Sequence, residues 1–597
     1  MSSFRSVRVV AWAVLVVAAL SPLAMDNGYY TFVATMVAIT ALAGSGVNVL
    51  FGLAGHASLG HAGFYAIGAY ATALLATRAG LGLEVALPVG IGVGCLVALA
   101  LGLACRRLSG PFLTVVTIAF GIVVEHTLIE WQSLTGGFGG IVGLGRARVG
   151  PAELGPRGYY CLVLALCSLA FVGWRNLAIS PWGRALVAMR ENEGAASSLG
   201  IDPVRVRLAA FVVSGAFAAG AGVLYPWAVG IASPDAFGLP TSLLFLLIVI
   251  FGGPGFTTGP LVGAIILVVL PELLHGFSEY RLIAYGVALL ATIYFLPRGL
   301  VGLALPRGGA HARRRPETEG NGAAFGTWSP STAMATPLDV RDVALRFGGL
   351  LVLDGIGLRL EPGRVHGLIG ANGAGKTSLL NILSGFYVAD HGTITVGQRI
   401  LDAPTPHSCA RAGIGRTFQT AQLFEDMTVI ENVMVGLAGW NLGSLGSTLC
   451  SDKRRRVHEV DLHNEASAIL EFVGYVGHGD EIAAELAFAQ RRLVEIARVL
   501  ARRPSVLLLD EPGAGLSERE TEGLARLIRE LRNAHTAILL VEHNVSFVMR
   551  VSDEVTVIDA GRQIAHGTPI QVQTDPAVLA AYLGNVDPKA GLATSTE

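Results

Sequence analysis

The stretch that decides the reading is GANGAGKT, Gly370–Thr377. It matches G-x-x-x-x-G-K-[ST] strictly, and its flanks suit the match. Val365–Ile369 (VHGLI) reads as a buried strand, and KTSLLNILSG from Lys376 reads as a helix with an apolar stripe. Gly370, Gly373 and Gly375, spaced by Ala371, Asn372 and Ala374, let backbone N–H groups face phosphate oxygens without Cβ clashes. The helix start adds partial positive charge. Lys376 reaches the outer phosphates, and Thr377, followed by Ser378, offers a hydroxyl to Mg²⁺. The strand–loop–helix setting separates this nucleotide cradle from a Gly-rich turn with no ligand. ATP is the expected cofactor, with Mg²⁺.

Upstream lie some three hundred residues of almost unbroken apolar sequence. At 597 residues the chain suggests two or more domains; 52% of residues are hydrophobic and 15% charged. Soluble domains carry about 25% charged residues. The average hides a split, since charges are scarce before Pro306 and ordinary after Leu338. A net charge of −1 argues against nucleic acid as a partner. Six cysteines, with no CxxC or metal-like spacing, read as reduced packing residues.

The predicted fold is a polytopic α-helical membrane domain followed by an α/β P-loop NTPase domain. Apolar stretches fall near 9–25, 29–53, 57–77, 84–105, 111–131, 158–176, 207–229, 240–253, 257–275 and 280–297. That is about ten spans, several of them short and Gly/Ala-rich, as in a compact bundle with broken helices. Arg5 and Arg8 precede the first run, which reads as a retained span rather than a cleaved signal peptide. Arg106, Arg107 and the arginines between the sixth and seventh runs place those loops, and the C-terminal domain, in the cytoplasm. The loop with Arg146, Arg148 and Arg157 sits against that topology. Phe51, Gly52, Gly55, Ser58 and Gly63 recur as Phe251, Gly252, Gly255, Thr258 and Gly263, a repeat that points to a midplane path or to chance in a Gly-rich protein. Glu125 and His126, inside an apolar run, read as interfacial or helix-packing groups before they read as substrate ligands. Pro181–Ile201 is polar and amphipathic at helical spacing, either a surface helix or a docking helix. The expected boundaries are a transmembrane domain over 1–304, a flexible linker over 305–337, an ATP-binding domain over 338–586 and a disordered tail over 587–597.

Further along, partners of the cradle come in order. Phe347 precedes it and offers a ring to adenine. Gln419 lies in GIGRTFQTAQLF. Ser505–Leu509 (SVLLL) is a buried strand that delivers Asp510 and Glu511 at its end. Ala537–Val541 (AILLV) precedes His543. The series resembles that of ABC ATPases. The resemblance implies that Gln419 reaches Mg²⁺ and the γ-phosphate, and that Asp510 holds the Mg²⁺ shell with Thr377. Glu511 polarises the attacking water as general base, and His543 contacts the γ-phosphate. The segment resembling the LSGGQ signature reads LAFAQ, Leu486, Ala487, Phe488, Ala489 and Gln490. In that family it crosses a dimer to hold the partner's ATP. Ala487 removes a hydroxyl there, and Ala489 adds a Cβ where close approach or an unusual φ is needed. Ser517 stands where Asp or Asn is usual.

GLAGHASLGHAGFYAIGAYATALL, SLTGGFGGIVGL, PWGRALVAMRENEGAASSLGI and FLPRGLVGL are similar to the second-type permease subunit of branched-chain amino-acid ABC importers. RTFQTAQLFEDMTVIENVMVG, LLLDEPGAGL, LLVEHNVSFVM and HGTPIQVQTDPAVLAAYLG are similar to the larger ATP-binding subunit. The chain thus resembles a fusion of the two. The resemblance implies ATP-driven uptake of amino acids or related small polar solutes across the cytoplasmic membrane, with Pro181–Ile201 as coupling helix. It implies a second permease subunit, a second ATPase and an extracytoplasmic solute-binding protein as partners, besides membrane lipid. An ABC exporter and a non-transporting ATP-gated membrane regulator are the alternatives.

Overall fold

The computed structural model describes residues 21–22, 27–106, 108, 110–273, 286–287, 290, 292, 294–304, 328–330, 336–450 and 453–583. Most of the expected spans at 9–25 and 280–297 lies outside these residues, as do the tail at 587–597 and most of the linker at 305–337. The chain forms two compact units. The first comprises Met1–Arg190, Val204–Arg313 and Gly443–Asp452, and the second Glu191–Pro203, Arg314–Leu442 and Lys453–Glu597.

Six helices of the first unit are long and apolar enough to cross a membrane, among the described residues. They are Gly28–Leu53, Leu83–Ala104, Pro111–Glu130, Pro156–Ala178, Pro203–Val229 and Pro234–Gly252. His61–Ala79 and Gly259–Leu273 are further helices of this unit. Small residues set how closely they pack. A Cβ on Gly68 would lie 2.0 Å from Ala219 O, and one on Gly222 would lie 1.9 Å from Tyr65 O. His61–Ala79 and Pro203–Val229 therefore approach backbone to backbone, as only glycine permits.

The repeated glycine segments are two helix breaks. Gly28–Asn48 runs into a π-turn at Val49–Leu53 before His61–Ala79 begins, and Leu239–Gly252 ends before Gly259–Leu273 begins. Asn48 joins the two breaks. Its Nδ2 donates to Phe256 O at 3.0 Å, and its Oδ1 accepts from Gly255 N at 2.8 Å. One side chain thus satisfies polar groups that an interrupted helix exposes in an apolar setting. Arg190 Nη1 donates to Gly52 O at 2.7 Å, serving the first break in the same way. Glu125 faces Gly238, where a Cβ would lie 2.9 Å from its Oε1. His126 lines an open cavity of about 600 Å³ with Glu130 and Trp131.

In the second unit a six-stranded sheet has the spatial order Ile414–Arg416, Val506–Asp510, Ala537–Val541, Val365–Gly370, Glu554–Asp559, Arg562–Gly567. The first five strands pair in parallel, and the last pairs antiparallel. Val506–Asp510 and Ala537–Val541 are buried at every position, which explains their unbroken apolar runs. A four-stranded antiparallel sheet holds Leu350–Leu360, Leu338–Phe347, His391–Val396 and Arg399–Ile400. Trp328, within the expected linker, packs edge-on against Phe472 with ring centroids 4.9 Å apart.

The amphipathic stretch from Pro181 is two helices where the periodicity predicts one, Pro181–Glu191 and Glu193–Ser198. Asn192 divides them. Its backbone is extended (φ −154°, ψ 98°), and its Oδ1 accepts from Ala195 N at 2.8 Å, so it caps the second helix rather than continuing the first.

Candidate functional site

The cradle sits between strand Val365–Gly370 and helix Lys376–Leu383. Gly373 and Gly375 have φ of +82° and +102°, values that L side chains rarely adopt. Lys376 is buried, and its Nζ donates to Gly370 O at 2.8 Å and Ala371 O at 2.9 Å. Burial lowers its pKa, while Glu511 and Asp510 pull it back up. The amine is therefore held over its own loop with two carboxylates in electrostatic range. Ala371, Asn372, Gly373 and Thr377 are exposed, Ser378 is half-buried, and Ala374 is buried. An exposed rim over a buried lysine leaves room for a polyphosphate, so the residues fit ATP.

Asp510 and Glu511 close strand Val506–Asp510, as the apolar run SVLLL predicts. Two side chains converge on Glu511. Gln419 Nε2 donates to Oε2 at 3.1 Å, and His543 Nε2 lies 2.8 Å from Oε1. Glu511 has φ +46°, an uncommon conformation for a non-glycine residue, and its N–H donates to Val541 O at 2.8 Å. Asp510 is buried beside Arg416, whose Nη2 lies 3.3 Å from Oδ2. Burial raises the Asp510 pKa; Arg416 opposes that and Glu511 adds to it. Phe347, at the end of its strand, is 48% exposed and meets the Tyr387 ring edge-on at 5.2 Å. It has an open face for a planar ligand.

The signature lies at the start of helix Phe488–Leu500. Ala487 is its N-cap, and Gln490 Oε1 accepts from Ala487 N at 3.4 Å. Ala487 has no oxygen to return that bond, so half of a capping box is missing. Ala489 occupies an ordinary right-handed helical position and not the left-handed region. Its Cβ therefore brings no backbone strain. Ser517 caps helix Glu518–Asn533 in a reciprocal pair with Glu520.

Sequence reasoning missed Arg416, Arg492, Glu495, Glu542 and Tyr387. Arg416 also binds Asn381 Oδ1 at 2.7 Å and Ser384 Oγ at 2.6 Å, tying cradle helix to Asp510. Glu542, buried next to His543, accepts from Gly513 N at 2.5 Å, and burial raises its pKa. The only signal for Arg416, Glu495 and Glu542 was charge beside apolar residues, which is weak without a fold, and Arg492 and Tyr387 had none.

Comparison with known proteins agrees with this layout. Residues 29–296 match the family described as the permease component of the branched-chain amino acid transport system. Residues 353–514 match the ABC transporter family, and residues 562–588 the branched-chain amino acid ATP-binding cassette transporter family. The high-affinity branched-chain amino acid transport ATP-binding protein LivG of Salmonella typhimurium is 42% identical over 253 residues, 42% of this chain and 99% of that protein. The permease protein LivM of the same organism's high-affinity system is 34% identical over 319 residues, 49% of this chain and 75% of that protein. A crystal structure of MJ1267, an ATP-binding cassette of an ABC transporter in its ADP conformation, is 30% identical, covering 42% of this chain and 100% of that one, with TM-score 0.37. With its membrane helices the chain is a multi-pass membrane protein, and its ATPase domain, on the cytoplasmic side, binds ATP and couples its hydrolysis to transport. The chain belongs to the branched-chain amino-acid ABC transporter family, with a permease component and an ATP-binding component joined in one polypeptide.

Proposed function

We propose that this chain is the fused permease and ATPase subunit of an importer of branched-chain amino acids or related small polar solutes. Hydrolysis is assigned to Glu511. The observation that carries the assignment is the convergence of Gln419 and His543 on the two oxygens of that carboxylate, with Lys376 in electrostatic range. A general base must be oriented before it is useful, and two side chains flank this one. Glu511 takes a proton from the water whose oxygen attacks the γ-phosphorus. The bond to the β-phosphate oxygen breaks, and ADP and phosphate leave. Phe347 holds the base, while the N–H groups of Gly370–Thr377 and Ser378 hold the phosphates. Ala487, Ala489 and Gln490 face the partner's nucleotide, and His543 its own γ-phosphate. Thr377, Gln419 and Asp510 supply the hard oxygen donors that suit Mg²⁺, which when bound neutralises charge on the outer phosphates.

The companions are a second permease subunit, a second ATPase and an extracytoplasmic solute-binding protein. The boundaries 1–304, 305–337, 338–586 and 587–597 define the permease, tether, ATPase and tail. Coupling runs through Glu193–Ser198. Asn192, just before it, donates to Gln422 Oε1 at 2.5 Å, and Glu191 accepts from Asp426 N at 3.2 Å. Both partners follow Gln419 within a few residues, so movement of this segment reaches the loop that orients Glu511. ATP drives the cycle only by binding the closed ATPase pair better than the open one.

Uptake of radiolabelled leucine by cells expressing the chain with its companions tests the reading. Accumulation lost in Lys376→Ala supports it. Movement only outward from preloaded vesicles contradicts it.

A further inference from the structure

A fully buried ion pair in the second unit is not accounted for by nucleotide binding. Arg492 and Glu495 are 1% and 0% exposed, and Arg492 Nη1 lies 2.9 Å from Glu495 Oε2. Burying both charges is costly, and surrounding hydrogen bonds must compensate. Those bonds all go to one loop and one residue beyond it. Glu495 Oε1 accepts from Phe418 N and from Gln422 N, each at 3.2 Å. Arg492 Nη1 donates to Phe418 O at 2.5 Å; Nη2 donates to Gln419 O at 2.6 Å and Glu511 O at 3.3 Å. The pair thus grips both ends of the turn that carries Gln419, and also the backbone of Glu511. At the turn's other side, Gln422 holds Asn192.

We infer that the Arg492–Glu495 pair is a positioning relay, through which the state of the Asn192 segment sets the placement of Gln419 and the Glu511 backbone. The inference rests on the proposed role of Glu511. The geometry suits it because the pair's bonds to the turn and to Glu511 are direct hydrogen bonds to backbone, so the turn cannot shift without moving the pair. Glu511 is also held in an uncommon left-handed conformation, so a change in the bond to its carbonyl bears on a residue with few alternatives.

The test uses the assembled transporter, purified by a tag on this chain and reconstituted in proteoliposomes. ATP turnover and radiolabelled leucine uptake are measured for Asn192→Ala, Glu495→Gln and the double variant. Glu495→Gln keeps the acceptor oxygen and removes the charge. The relay predicts a fall in kcat on the order of tenfold, with KM for ATP within about twofold. It also predicts that Asn192→Ala has no added effect on uptake in the Glu495→Gln background. A merely structural role would raise KM and lower the thermal midpoint together, and the two losses in uptake would multiply; that result overturns the relay. Should Glu495→Gln fail to fold, Arg492→Lys takes its place in the same cycle. Glu511→Gln, run in parallel, separates the failures. Unreduced turnover there overturns the base assignment and the relay with it, whereas multiplying losses with Glu511→Gln inactive overturn the relay alone.

Discussion

The cradle and the signature, which on the proposed reading both face nucleotide, are built to different standards in this chain. Around the cradle the three charged groups that matter each have a partner of their own. Lys376 rests on two loop carbonyls, Glu511 has Gln419 and His543, and Asp510 has Arg416. At the signature, Ala487 stands at an N-cap with no oxygen and Ala489 carries a Cβ on the first turn. Lost stabilisation at the cradle falls on this chain's own nucleotide. On the proposed reading, lost stabilisation at the signature falls on a companion's. The difference teaches that the two sites of the assembled pair need not be equal, and that the chain keeps what serves its own ATP.

Several substitutions break or sharpen that contrast. Lys376→Ala strikes the complete face, and turnover should fall on the order of 10²- to 10³-fold, as expected for losing a preorganised charge; a phosphate-release assay reads it. Acid attacks the same side by another route. His366, in the strand that feeds the cradle, is buried against Thr556, and burial pushes its pKa down to about 4 from 6.5. Between those values the unfolded chain binds more protons than the folded one, so stability falls as pH drops through this window. The loss reaches about 3 kcal/mol at its lower end. Thermal midpoints from pH 7 to pH 4.5 should fall steeply in the wild type and less so in His366→Gln. Ala489→Gly repairs the incomplete face and should raise turnover of the assembled transporter by up to about tenfold, the equivalent of roughly 1.4 kcal/mol. No gain would show that the Cβ is accommodated. Ala487→Ser is the smallest repair. It returns the missing bond of the capping box and should add about 0.5–1 kcal/mol to stability, read as a small rise in thermal midpoint.

Much of this contrast was legible in residue order alone. The cradle, its strand and its helix follow from spacing and apolar runs, since local sequence dictates both the glycine turn and the elements flanking it. The repeated glycines likewise foreshadow the two helix breaks, though not Asn48, which joins them across 207 residues of chain. What sequence could not give was partnership through space. Arg416 binds groups 32 to 94 residues away, and Arg492 reaches Phe418 across 74. Such contacts have no local periodicity. Pro181–Ile201 failed differently: its amphipathic period ran through Asn192, and only cap geometry ended the helix there. The unusual φ suspected at Ala489 is likewise absent, because helix Phe488–Leu500 has already begun by that residue.

The inequality of the two faces is tested most directly by steady-state ATP hydrolysis, with ATP binding measured alongside, in the assembled transporter carrying Glu511→Gln in this chain only. The account predicts that ATP stays bound while turnover falls to roughly a hundredth of the wild type or below, because the other site depends on the incomplete signature. Retention of half or more of the turnover would contradict it, since the site completed by Leu486–Gln490 would then be as competent as the cradle at Gly370–Thr377.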